Sequence, residues 1–183
     1  MVENYLWYAV IREATLLQGD MIYECPVIIP TGEILEGEGE EDYLLDGEIV
    51  TYDVVVMSQS CDLEHEKLDF VLVCPHWPLE DFADRDDYFK SSRGKEELRR
   101  GNVPGYHLLN RCDLEGWTKD ARVVDFRNVY SLPYPFLKQL AKKRQERLRL
   151  LPPYREHLSQ AFARFFMRVG LPVQVDLNLT AKK

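Results

Sequence analysis

The stretch Asp53-Val-Val-Val-Met-Ser-Gln-Ser-Cys-Asp-Leu-Glu-His-Glu-Lys-Leu-Asp-Phe-Val-Leu-Val-Cys-Pro-His76 decides the fold. Its two apolar runs, Val54-Val-Val-Met57 and Phe70-Val-Leu-Val-Cys74, flank a polar segment. Both runs are continuous, rich in β-branched residues and of strand length, which predicts strands buried on both faces. A link of about ten residues is too short for a parallel crossover with its own helix, so the two strands should pair antiparallel.

Upstream, residues 5–17 are mostly apolar without clean periodicity and read as a short strand or irregular entry. Gln18-Gly19-Asp20 signals a turn. Met21-Ile-Tyr-Glu-Cys-Pro-Val-Ile-Ile29 then reads as a strand that lies at an edge or bends at Pro26, because proline has no N–H to give to a ladder. Positions 33–48 are rich in Gly and Glu and are expected to form a solvated loop or the tip of a long hairpin. Their acidic spacing does not match a calcium loop.

Downstream, the charged residues 78–100 predict one or two short surface helices, interrupted near Ser91-Ser92-Arg93-Gly94. Strands are expected at residues 106–109 and over residues 122–130, with Val124, Phe126 and Val129 inward. From Ser131 the pattern turns helical. Leu137, Leu140, Ala141, Leu148 and Leu151 fall near one face of a helix that Pro152-Pro153 ends. Leu158, Ala161, Phe162, Phe165, Phe166 and Val169 form the stripe of a second helix, which Gly170 and Pro172 stop. Residues 173–179 alternate in period two, as a final edge strand would. The expected fold class is α+β. A small antiparallel β-barrel body spans residues 1–130, with a charged insertion around 78–105, and a helical C-terminal extension over residues 131–183 packs on it.

The net charge of -8 divides into -16 over residues 1–137 and +8 over residues 138–183. The basic part is expected to dock on the acidic body, with an acidic partner such as nucleic acid as the alternative. The four cysteines are irregularly spaced and read as free thiols of a reducing compartment. No leader pattern and no apolar run near the ~20 residues of a membrane span is present, so a cytoplasmic protein without a membrane partner is expected.

Candidate chemistry sits in the polar segment. Cys61 lies just past a strand end, His65 would lower its pKa if the segment turned helically, and Asp62 or Glu64 would orient the imidazole. Ser58 adds a hydroxyl, though Ser and Asp in such a place also shape turns through the backbone. Cys61, His65, Cys74 and His76 are zinc-ligand types, but antiparallel pairing sets the two pairs at opposite ends of a hairpin, so no metal is expected. Glycine-rich phosphate loops, dinucleotide fingerprints and nucleophile elbows are lacking, and no cofactor is expected. For nucleic acid, Lys142, Lys143, Arg144, Arg147 and Arg149 make a basic helix, and Arg99, Arg100 and His107 combine cations with a stacking ring, so RNA is the alternative partner. The face of Leu158, Phe162, Phe165 and Val169, where exposed, would serve a protein partner or a homodimer.

Gly19-Asp20-Met-Ile-Tyr23, followed by Asp53-Val-Val-Val-Met-Ser58, resembles the opening of the PemK/MazF-type toxin fold, over about residues 18–75. The resemblance implies an SH3-like small β-barrel, a toxin-antitoxin or defence setting, and, as an activity, ribosome-independent cleavage of single-stranded RNA. Ser58 matches that family's strand-end hydroxyl. Where its pattern places an arginine before the valine run, this chain has Tyr52-Asp53. Asp53 would repel a phosphate that an arginine would stabilise. The expectation is therefore a non-catalytic binding or regulatory module, with an endoribonuclease as the alternative.

Overall fold

The computed structural model describes residues 5–36 and 43–167. In chain order the strands are β1 (Tyr8–Ile11), β2 (Asp20–Glu36), β3 (Tyr43–Val56), β4 (Phe70–Pro78), β5 (Tyr106–Leu109), β6 (Arg122–Asp125), β7 (Tyr130–Pro133) and β8 (Arg147–Leu150). The helices are α1 (Ser60–Glu64), α2 (Leu79–Ala83), α3 (Asp87–Lys90), α4 (Ser92–Arg99), α5 (Tyr134–Arg144) and α6 (Tyr154–Phe166). All strand pairs among the described residues are antiparallel, in the order β1-β8-β2-β3-β4-β6-β5, with β7 beside β4. The mixed α and β class matches the expectation. The expected closure into a barrel does not, because no pair joins β1 to β5 among the described residues.

The two valine runs pair antiparallel as expected, with Val55 opposite Cys74 and Val56 opposite Val73. Their side chains feed two cores. Val54, Val56, Val71 and Val73 point to one that Leu63 of α1, Leu132 of β7 and Leu137 of α5 complete. Val55, Met57 and Cys74 point to the other, closed by Leu109, Phe126, Leu148 and Leu158. A strand with helices on each side needs apolar residues at successive positions, which is why these runs do not alternate. A third, smaller cluster of Phe82, Phe89, Leu98 and Val123 seats the charged helices α2 to α4. As expected, these break at Ser91, whose hydroxyl caps α4 by accepting from Gly94 N at 3.0 Å.

β2 and β3 form the long hairpin, and positions 37–42 at its tip lie outside the described residues. The bend in β2 is a register shift between Ile22 and Cys25, where Glu24 has φ 49 and its N–H donates to Asp53 Oδ1 at 2.9 Å. Past Met21, β2 has a strand neighbour on one side only among the described residues, β3, so Pro26 sits beside an edge as predicted.

Two helical expectations are corrected. The helix expected to reach Leu151 ends at Arg144, where Gln145 has φ 64, and Leu148 belongs to strand β8. Tertiary contacts override the local pattern here. Arg147 and Arg149 alternate with Leu148 and Leu150 and turn inward to the buried Asp20, while the leucines join the second core. Residues after 130 thus carry two strands, β7 and β8, as well as α5 and α6. The strand expected over residues 122–130 is likewise broken into β6 and β7 by a turn in which Asp125 accepts from Arg127 N at 2.9 Å. Residues 168–183, with Val169 and the expected last strand, lie outside the described residues. No helix among the described residues is long and apolar enough to cross a membrane.

Gly19 sits where three strands meet. Its N–H donates to Val56 O at 2.9 Å, its carbonyl accepts from Leu150 N at 2.9 Å, and its φ is 85. An added Cβ would stand 3.1 Å from Leu150 Cβ. Gly19→Ala is expected to cost ~1–3 kcal/mol, from the unfavourable φ and this close approach. A urea titration that shows no loss would remove Gly19 as the pivot of β2 and β8.

Candidate functional site

The 58–65 segment is built as a turn. Ser58 is buried, and its hydroxyl accepts from Leu72 N at 2.9 Å, tying the end of β3 to β4. Ser60 Oγ accepts from Gln18 N at 3.2 Å, and Gln18 Nε2 donates to Met57 O at 2.7 Å. Cys61 is exposed on the five-residue α1, and Asp62 pairs with Lys67 at 3.8 Å. His65 caps the helix through its backbone N–H, which donates to Cys61 O. No side-chain hydrogen bond among the described residues joins Ser58, Cys61, Asp62 and His65 to one another. The hydroxyl and the thiol therefore have no base in contact, and the turn role weighed for Ser58 is the one its geometry fits.

Cys74 and His76 are buried in β4, apart from the exposed Cys61 and His65. Burial pushes the Cys25 thiol up to about 11 and the Cys74 thiol up to about 12, so neither is a thiolate at neutral pH. Among the described residues, no group of three or more His, Cys, Asp or Glu is placed to hold a metal ion.

The basic candidates separate. Arg99 and Arg100 both donate to Glu96 on α4, at 2.6–2.7 Å. Arg144 pairs with Glu24 at 2.9 Å, joining the end of α5 to the bend in β2. Lys142 and Lys143 are exposed on α5, while Arg100 and His107 share a cleft with residues of α6. The face of α6 carrying Leu158, Phe162 and Phe165 is turned inward. Leu158 is fully buried, and Phe162 and Phe165 pack on the second core.

The departure at Asp53 has a structural counterpart. Asp53 Oδ2 accepts from an Arg122 terminal nitrogen at 2.6 Å, and Arg122 Nε donates to His76 Nδ1 at 2.6 Å. The Tyr23 ring packs edge-on to His76, with ring centres 5.7 Å apart, and burial pushes the Tyr23 hydroxyl up to about 12. This chain joins β3, β4 and β6 under β2. Arg122, with 7% of its side chain exposed, is out of reach of a substrate. An arginine does stand next to residue 53, then, but it is spent on structure.

An apolar groove of about 550 Å3 lies between β2 and β7. Pro26, Val27, Ile28 and Ile49 form one wall, and residues 129–133 with Phe136 form the other. Tyr130 stacks on Tyr52 with ring centres 5.4 Å apart. Ile28 and Ile49 are 70% and 72% exposed, unusual for isoleucines in paired strands. Both walls are strand edges. β7 has β4 as its one strand neighbour among the described residues, and this part of β2 has β3 alone. Val27-Ile28-Ile29 is a continuous apolar run that assigns no faces, so nothing in the sequence marks Ile28 as exposed.

No protein-family model matches this chain, and a search of curated proteins finds none similar to it.

Proposed function

We propose that the protein is a non-catalytic binding module that takes an extended, apolar segment of a partner protein into the groove between β2 and β7. The observation that carries this reading is the pair of strand edges, unpaired among the described residues, that border one apolar groove. An added strand would satisfy their backbone groups, while Ile28, Ile49 and Phe136 would bury its alternate side chains. Gly19-Asp20 at the start of β2, with the 53–58 run paired beside it, supports reading the sheet as a variant of the SH3-like barrel of PemK/MazF-type proteins. On that reading the module acts in the cytoplasm, in a bacterial toxin-antitoxin or defence setting. An endoribonuclease draws less support, since Ser58 is engaged by the backbone and Arg122 is buried.

The test is a panel of ten-residue peptides, apolar at alternate positions, measured by fluorescence anisotropy against wild type and Ile49→Asp. Peptides that bind are expected to lose at least about tenfold in affinity, or ~1.4 kcal/mol, in the variant. Affinities indifferent to Ile49→Asp, or self-association of the wild type that the variant abolishes, would overturn the partner-segment reading. With mixed RNA the wild type is expected to leave the substrate intact; cleavage that Ser58→Ala or His107→Ala abolishes would overturn the non-catalytic reading.

A further inference from the structure

A second cleft, sharing no lining residue with the groove, lies between the turn after α4 and the exposed side of α6. It holds about 320 Å3 and is lined chiefly by Arg100, Tyr106, His107, His157, Gln160 and Arg164. No carboxylate lines it. That is unusual in a chain of net charge -8.

Three carboxylates on the neighbouring elements are engaged elsewhere. Glu96 accepts from Arg99 and Arg100, Glu97 from Asn102 and Asp125 from Arg127. Arg127 in turn places its guanidinium 4.4 Å from the centre of the Tyr106 ring, adding a further cation nearby. Arg100 meets Glu96 through Nε, which leaves its terminal nitrogens available, and Arg164 has no ion pair among the described residues. His107, opposite Val124 in the sheet and stacked on Phe126, is pushed down to about 4, first by burial and then by the charge of His157. Two arginines and two imidazoles in a lining without a carboxylate favour an anionic ligand.

We propose that this cleft binds the phosphate monoester of a ligand of mononucleotide size. Arg100 and Arg164 offer planar forks of donors that match phosphate oxygens. A neutral imidazole carries one ring N–H, which His107 and His157 can offer to the phosphate oxygens. The volume lies near the lower bound of ~300 Å3 for small-molecule sites. A single-stranded backbone, by contrast, needs a groove that tracks several nucleotides. The site unites Arg100 and His107, two of the residues expected to contact nucleic acid, and leaves Lys142, Lys143 and Arg144 outside it.

The experiment uses the full chain in a phosphate-free buffer, with calorimetry and imidazole NMR. The probes are inorganic phosphate, adenosine monophosphate, adenosine and an oligoadenylate lacking terminal phosphate. Phosphate and the monophosphate are expected to raise the His107 titration midpoint by about one pH unit or more, while adenosine leaves it in place. Arg164→Gln, at an exposed position, should weaken the monophosphate by about tenfold at an unchanged thermal midpoint. A His107 midpoint unmoved by millimolar monophosphate would overturn the proposal. Equal binding by Arg164→Gln, or an oligoadenylate that binds more tightly than the monophosphate, would do the same.

Discussion

Asp20→Asn is expected to destabilise this chain by about 3–5 kcal/mol, because it orphans two buried arginines. Asp20 is fully buried, and its carboxylate accepts from Leu17 N at 3.1 Å, Arg147 Nε at 2.7 Å and Arg149 Nε. A second bond from Arg149 reaches Oδ2 at 2.9 Å. Two arginines face one aspartate, and the excess positive charge is met by carbonyls. Arg147 donates to Glu13 O and Thr15 O at 2.7 and 2.6 Å, and Arg149 donates to Thr15 O at 3.0 Å. The cluster thereby clamps the segment before β2 onto β8. Urea unfolding should show the midpoint fall by roughly 2 M, at a slope near 2 kcal/mol/M. Replacing all three residues, as Asp20→Leu with Arg147→Met and Arg149→Met, is expected to recover much of the loss, since buried ion clusters often exchange for apolar groups at little cost. An Asp20→Asn protein within about 1 kcal/mol of wild type would show that the clamp is not set by charge burial.

That cluster also marks how far the sequence is legible. The valine runs declared a central antiparallel pair because their information is local, a strand-length apolar run between turn signals. The stripe of α6 was equally plain, since Leu158, Phe162 and Phe165 recur at helical spacing. What no spacing reveals is a polar partner far along the chain. Asp20 meets Arg149 across 129 residues, and Asp53 meets Arg122 across 69. Read alone, Arg147 and Arg149 extend a basic helix, and Asp53 is an anion where a phosphate-binding residue would stand. The same limit applies to the candidate site. Ser58 looks like a free hydroxyl until Leu72 N, 14 residues on, occupies it. The cleft joins His107 to α6, and the groove joins β2 to β7, so neither has a signature within any one segment.

Acid is expected to destabilise the protein before its carboxylates titrate, through His76 and His107. The His76 pKa lies well below 6.5, first because the ring is buried and second because the Arg122 guanidinium stands against it. Arg122 Nε donates to Nδ1, so the neutral ring keeps its proton on Nε2, and a second proton would break that bond. Both histidines have folded values below the unfolded one, so the unfolded chain binds more protons on the acid side. The stability they lend is therefore complete above about pH 6.5 and falls as pH drops towards the folded values, by up to ~1.4 kcal/mol per unit for each ring. Between about pH 7.5 and 5.5 the two together should remove about 3 kcal/mol, measured by urea unfolding in a phosphate-free buffer. His76→Gln keeps an oxygen to accept from Arg122 Nε but takes up no proton. Its stability should be lower at pH 7.5, and its loss over the same interval about half that of wild type. A variant as acid-sensitive as the parent would mean that His76 is protonated in the fold, and that the Asp53, Arg122 and His76 chain is held by some arrangement other than a neutral imidazole.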